Sequence, residues 1–152
     1  MRLTRATEYA FRSLRFLASR TEERWHSIQE IADAEDMPIQ FLAKVMQHLT
    51  QAGLVHSACG KTGGYRLGKP PAAIHMADVL LAMEGPLSIN QCLLFPEECR
   101  FFRNKSCRSH KVWEELQAAM VGVLRKYTIA DITPAPETRP VTKRRTRAAA
   151  TA

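Results

Sequence analysis

Residues 27–69 read SIQEIADAEDMPIQFLAKVMQHLTQAGLVHSACGKTGGYRLGK, and the order of patterns in this stretch decides the fold. Ser27 and Glu30 make the S-x-x-E pair whose side chains can satisfy free backbone donors at a helix start, which predicts a short helix over Ile28–Glu35. Asp36-Met37-Pro38 is a turn, and Pro38 is expected at the first helical position of the next helix, where its missing N–H is not needed. Ile39, Leu42, Val45, Met46 and Leu49 then recur at helical spacing, and Gly53 supplies the left-handed residue favoured at a helix end. The other face carries Gln40, Lys44, Gln47 and Gln51. Two short helices joined by a tight turn have the proportions of a helix-turn-helix. Leu54–Ala58 and Tyr65–Leu67 flank the glycine-rich tip Cys59–Gly64 and predict a β-hairpin. A hairpin directly after a helix-turn-helix is a winged-helix layout.

Working outward, Ala6, Ala10, Leu14, Leu17 and Ala18 mark a first helix from Thr4 to about Arg20. The stretch TEERWH interrupts the pattern before Ser27. Past Lys69-Pro70-Pro71 a further helix is expected over about Met76–Met83, stopped by Gly85-Pro86. Leu87–Ser109 lacks clean periodicity and reads as a loop. From His110 to Tyr127 an apolar stripe returns at helical spacing, long enough to need a partner, on its own chain or on a second copy. The expected fold class is therefore mainly α with a small β-hairpin: a winged helix-turn-helix plus a long C-terminal dimerisation helix. The expected organisation is a DNA-binding region over 1–70, a cysteine segment and dimerisation helix over 71–132, and a disordered basic tail over 133–152.

The 152 residues suit one ordinary domain and exclude a large multidomain enzyme. Lys plus Arg number 22 against 15 Asp plus Glu, a formal charge of +7. Residues 133–152 hold Arg139, Lys143, Arg144, Arg145 and Arg147 against Glu137, so +4 of the +7 lies in the tail and the charge alone argues only weakly for a polyanion partner. The tail reads as solubilising, or as a source of nonspecific phosphate contacts. No run approaches the roughly 18 to 20 apolar residues of a membrane span, and a cytoplasmic protein without membrane association is expected.

Cysteine usage points to chemistry. Cys92-x6-Cys99-x7-Cys107-x2-His110 lies among Pro96, Glu97, Glu98, Arg100, Arg103, Asn104 and Lys105, a polar setting unlike a core. Thiolates are soft ligands suited to zinc and iron–sulfur groups, so the pattern points to metal ligation, without specifying which metal. Catalytic patterns such as H-E-x-x-H, G-x-S-x-G or a nucleotide-binding glycine loop are absent from the sequence, and no enzyme is expected.

Taken together, the opening MRLT with Tyr9, the helix-turn-helix, GLV followed by G-x-x-GGY-x-LGK (Gly53–Val55, then Gly60–Lys69), the three cysteines and the closing YTIADI (Tyr127–Ile132) resemble the Rrf-two family of iron–sulfur winged-helix regulators. The resemblance spans about residues 1–132. It implies a homodimeric transcription factor, in function a repressor, that binds double-stranded DNA at a palindromic operator under the control of an iron–sulfur cluster sensing iron, nitric oxide or redox state. By position, Cys92, Cys99 and Cys107 match the family's cluster cysteines. His110 matches the fourth ligand of IscR-like members, and Glu8 the acidic ligand that NsrR-like members supply from the partner subunit; Arg12 disfavours a second ligand from that helix. The cysteine spacings leave the cluster open between [2Fe-2S] and [4Fe-4S]. Cys59 stands where the family has an arginine, leaving a minor-groove contact absent or taken over by Lys61. For DNA, Gln40 and Lys44 are the base-reading candidates, while Arg2, Arg5, Lys61, Thr62 and Arg66 are assigned to phosphates. Two alternatives stand beside this reading: the same regulator with zinc or a cluster-free thiol redox sensor, and a small iron–sulfur carrier.

Overall fold

The computed structural model describes residues 3–20, 24–60, 62–103 and 107–134. Helix α1 spans Arg5–Ala18, capped by the Thr4 hydroxyl, which accepts the Thr7 N–H at 3.3 Å. Ala10, Leu14 and Leu17 form its buried stripe, as their spacing requires. Helix α2 covers Ile28–Glu35, with the Ser27 hydroxyl accepting the Glu30 N–H at 3.1 Å. The chain turns through Asp36 in the left-handed region at φ 51°, and α3 follows over Ile39–Gln51. Pro38 stands one position earlier than the sequence suggests: its ψ of 124° is extended, so it is the N-cap, and its carbonyl accepts the Phe41 and Leu42 N–H groups at 3.1 and 3.0 Å. At the far end Gly53, with φ 68°, donates to the Thr50 carbonyl at 3.0 Å while Leu54 donates to Leu49 at 2.9 Å. That pair of bonds is a Schellman motif, which satisfies carbonyls the helix end would leave orphaned.

The wing is the antiparallel hairpin of β1 (Val55–Ala58) and β2 (Gly64–Leu67), in the register Val55↔Leu67, His56↔Arg66, Ser57↔Tyr65. The stretch before α2, which carries no strand pattern, adds a third short rung: His26 and Tyr65 exchange N–H···O bonds of 3.0 and 2.8 Å. Gly64 permits this approach. A Cβ there would lie 2.3 Å from the His26 carbonyl oxygen, and its φ of 149° is itself unfavourable for a side chain. Gly64→Ala is expected to cost about 2–4 kcal/mol, the range for combined backbone strain and overpacking, read as a lowered urea midpoint. An unchanged midpoint would show that the rung is dispensable.

Helix α4 (Met76–Glu84) follows, and the core then closes with distant sequence. Met76 N–H donates to the Tyr127 carbonyl at 3.0 Å and Ile129 N–H to Ile74 at 2.9 Å, so the short helix α8 (Ile129–Ile132) returns to pack on α1 with Ile129 fully buried. Between departure and return the chain forms α5 (Gln91–Leu94), a 3₁₀ turn (Pro96–Glu98), α6 (Arg100–Arg103) and the long α7 (His110–Lys126). The described part of Leu87–Ser109 thus contains short helical turns instead of being an irregular loop throughout. None exceeds four residues, too short for apolar periodicity to register. Among the described residues from 81 to 128, none is buried.

Glu84, where α4 ends, ties this segment to the N-terminus. Its Oε1 accepts the Thr4 N–H at 3.0 Å, the Thr4 hydroxyl at 2.8 Å and the hydroxyl of the buried Thr7. The Thr7 hydroxyl, then the Thr4 N–H, hold the Glu84 carboxyl below its usual range. A depressed folded pKa means this contribution is complete above the unfolded pKa and is lost as pH falls through the folded value. Glu84→Gln is therefore expected to flatten the loss of stability below about pH 4.3, the ordinary glutamate pKa. Parallel acid-melting curves for wild type and variant would refute the clasp.

Candidate DNA-binding surface and cysteine segment

Helix α3 buries Leu42, Val45, Met46 and Leu49, which turns Gln40 and Lys44 outward into solvent. Lys44 lines a groove of about 320 Å³ between α1 and α3 together with Arg5, Tyr9, Phe41 and His48. Arg5 and Lys44, 39 residues apart in sequence, therefore share one surface, while Gln40 lies outside the groove lining. Phe41 is 62% exposed on this helix. Sequence reasoning passed over Phe41 and His48; the available signal was a large aromatic outside the buried stripe. At the wing, Thr62 is exposed at the tip. Arg66 is not a loose tip cation: its guanidinium lies over the Trp25 ring at 4.4 Å. Arg2 and Lys61 lie outside the described residues, as does the tail from 135 onward.

The cysteines fall into two places. Cys92, in α5, and Cys99, immediately before α6, line one cavity of about 280 Å³. Cys107 and His110 line another of about 750 Å³, walled also by Phe102 and Glu114. The Cys107 sulfur lies 3.6 Å from the Ser109 hydroxyl. That hydroxyl, assisted by the Ser109 and His110 backbone N–H groups at the start of α7, pulls the Cys107 thiol below its usual pKa. His110 Nε2 is 3.3 Å from Glu114, and its ring lies 4.5 Å from that of Phe102. Its Nδ1 is buried without a hydrogen-bond partner. Glu8 is exposed on α1, 3.9 Å from Arg12, and lines neither cavity; Arg12 is itself held by Glu35 at 3.1 Å. Cys59 is exposed on the wing.

Three thiols and an imidazole suit an iron–sulfur group in donor chemistry, and a lowered thiol pKa favours the thiolate such a group binds. Their positions do not yet converge. Among the described residues no three His, Cys, Asp or Glu side chains gather at a point that could hold a metal ion.

A helix-turn-helix with an exposed polar face on its second helix, followed by a β-wing, defines a winged helix-turn-helix transcriptional regulator and not an enzyme. The chain matches the Rrf2 (Rrf-two) family, described as an iron-dependent transcriptional regulator, over residues 3–135, and it belongs to that family. It is 35% identical over 124 residues to a putative HTH-type transcriptional regulator of Aquifex aeolicus (strain VF5), covering 82% of this chain and 85% of that one. Among solved structures it is similar to CymR (YrzC), the global cysteine regulator of B. subtilis, at 27% identity and TM-score 0.70, covering 87% of this chain and 95% of the other. It is also similar to IscR of T. potens, at 25% identity and TM-score 0.66, covering 87% and 85%. Among the described residues no helix is long and apolar enough to cross a membrane.

Proposed function

We propose that this chain is a homodimeric repressor that binds a palindromic operator and whose affinity is set by an iron–sulfur cluster held by Cys92, Cys99 and Cys107. The observation that carries the reading is the absence of any buried residue among those described from 81 to 128. Side chains that are at most half-buried gain little to offset the entropy of ordering the segment, and a second surface and a ligand would supply the rest. The second surface is another copy of α7, and the ligand is the cluster. A bound cluster would supply a group that iron shortage, nitric oxide or oxidants can alter. The fourth ligand is His110, whose Nδ1 lacks a partner, or Glu8 of the opposite protomer. The family's description as iron-dependent and the likeness to IscR support this choice.

The chain's own residues carry the coupling and the reading of DNA. The Glu84 clasp joins the root of the cysteine segment to Thr4 and Thr7, next to Arg5, so rearranging the segment can shift a phosphate-binding residue. Gln40 and Lys44 enter the major groove, while Arg2, Arg5, Lys61, Thr62 and Arg66 position the duplex by its phosphates. Lys44→Ala is expected to weaken operator binding by about 1–3 kcal/mol more than random DNA, whereas Lys61→Ala weakens both about equally. Fluorescence anisotropy on the two duplexes at fixed salt checks this, and equal losses for Lys44 would remove its base-reading role.

A second reading has its own support. The separation of the thiols and the solvent-reachable Cys107, whose thiol the Ser109 hydroxyl holds below its usual pKa, fit a cluster-free thiol sensor, and the likeness to a cysteine regulator points the same way. Zinc is a further occupant that the donor set allows. Anaerobic purification followed by visible absorption and by iron, acid-labile sulfide and zinc assays on one sample separates them. Coloured protein with stoichiometric iron and sulfide supports the cluster, and the iron-to-sulfide-to-protein ratio gives its type. Colourless protein after reconstitution, with zinc or no metal, moves the function to the zinc or thiol regulator.

A further inference from the structure

A cavity of about 450 Å³ opens at the base of the wing, away from the tip and from α3. Its walls include Arg20 and Arg24 from the chain leaving α1, His26 from the third rung, and His56 and Arg66, which face each other across β1 and β2. This concentrates positive charge. Arg24 is bound by both Glu30 carboxylate oxygens at 2.7 and 3.0 Å, and the same carboxylate lies 3.1 Å from His26 Nδ1. Glu30 is thereby used up. Arg20 and Arg66 have no carboxylate partner among the described residues; their guanidinium planes rest on Phe16 and Trp25, each 4.4 Å from a ring centroid. A guanidinium stacked on a ring is held in place while its edge N–H groups stay available, which suits an oxyanion. His26 stiffens the wall: it is 2% exposed and packs edge-to-face on Phe16, with 5.6 Å between ring centroids. Like charges gathered in a concave site repel one another unless an anion joins them.

We propose that this cavity is a binding site for a phosphoryl oxyanion, with Arg20, Arg66 and His56 as its donors and Arg24 and His26 as its rigid wall. Two sources carry that chemistry: a DNA backbone phosphate outside the surface read by α3, or a free phosphorylated molecule. The proposal is independent of the cluster reading and shares only Arg66 with the DNA surface above.

The test uses the full chain and inorganic pyrophosphate, with sodium chloride of equal ionic strength as control. At ten times its Kd, pyrophosphate is expected to raise the melting temperature by about 2–5 °C. It should also move the ring signals of His56 in a histidine-resolved NMR titration. The double substitution Arg20→Gln/His56→Gln is expected to weaken binding at least about tenfold, the loss for one or two charge-assisted hydrogen bonds. If pyrophosphate also competes with operator DNA, and the variant's salt dependence of DNA binding falls by about one ion per lost contact, the natural occupant is a backbone phosphate. If operator affinity is indifferent to both, the occupant is a free phosphoryl compound. No response beyond the chloride control, or the same response in wild type and variant, overturns the site. A response that appears only in Glu22→Gln/Glu23→Gln protein overturns it too, since the chain's own carboxylates would then fill the cavity.

Discussion

Alanine at any one of Cys92, Cys99 or Cys107 is expected to lower bound iron more than about tenfold, since loss of a thiolate ligand exceeds the roughly 10- to 100-fold cost of losing an outer-shell partner. The same substitutions should erase the difference in operator affinity between anaerobic and metal-stripped protein. The helical fold should survive, because none of the three side chains is buried in the core and the winged helix packs around Leu14, Ile31, Leu42, Met46 and Ile129. Iron and sulfide assays, far-ultraviolet circular dichroism and operator anisotropy on the same preparations read all three outcomes. Normal iron in any of these variants would refute the ligand assignment. A wild type that never holds iron but loses its oxidant response on Cys107→Ala would instead favour the thiol sensor. Cys107 is the most informative position. Its sulfur sits by the Ser109 hydroxyl and the first N–H groups of α7, which favour the thiolate needed for both ligation and oxidation.

Glutamate at Leu116 and Val123 together is expected to convert the proposed dimer to a monomer and to weaken operator binding by about 10²–10⁴, the gain normally supplied by linking two binding events. Helix α7 has two distinct sides. Trp113, Gln117, Met120, Val121 and Leu124 are half-buried, and the helix packs on α4 and α5 of its own chain. Gln117 marks that side by accepting the Ile89 N–H at 3.1 Å. The outward side presents Val112, Leu116, Ala119 and Val123, with Leu116 49% and Val123 56% exposed. Covering each large side chain contributes about 1.5–3 kcal/mol, whereas a buried unpaired carboxylate costs several. Sedimentation and operator anisotropy measured together decide the matter. A double variant that remains dimeric with normal affinity would move the interface elsewhere, and the exposed Leu81 on α4 would be the next place to look.

Both predictions concern segments that the sequence singled out, the cysteine pattern and the apolar stripe of His110–Tyr127, and their legibility has a physical cause. Helix starts, stops and buried stripes are local properties: Ser27 caps α2, Gly53 closes α3, and Leu42, Val45, Met46 and Leu49 face inward because 3.6-residue geometry leaves no alternative. The hairpin was legible for the same reason, through the glycines of its tip. Even so, Pro38 capped α3 instead of entering it, a one-residue difference set by backbone ψ that composition does not carry.

What only the tertiary structure decided are contacts between segments far apart in the chain or short of any repeat. Two residues, Trp25 and His26, are too few to show strand alternation, yet His26 pairs with Tyr65 because Gly64 leaves room for its carbonyl. Trp25 also moves Arg66 from a free wing cation to one stacked on an aromatic face. Ile129 becomes core only because α7 carries the chain back to α1, a return across more than a hundred residues. The cysteine pattern named the donors by itself. Their division between two cavities was decided by three short helical turns, whose side chains find too little apolar surface within one chain to draw them together.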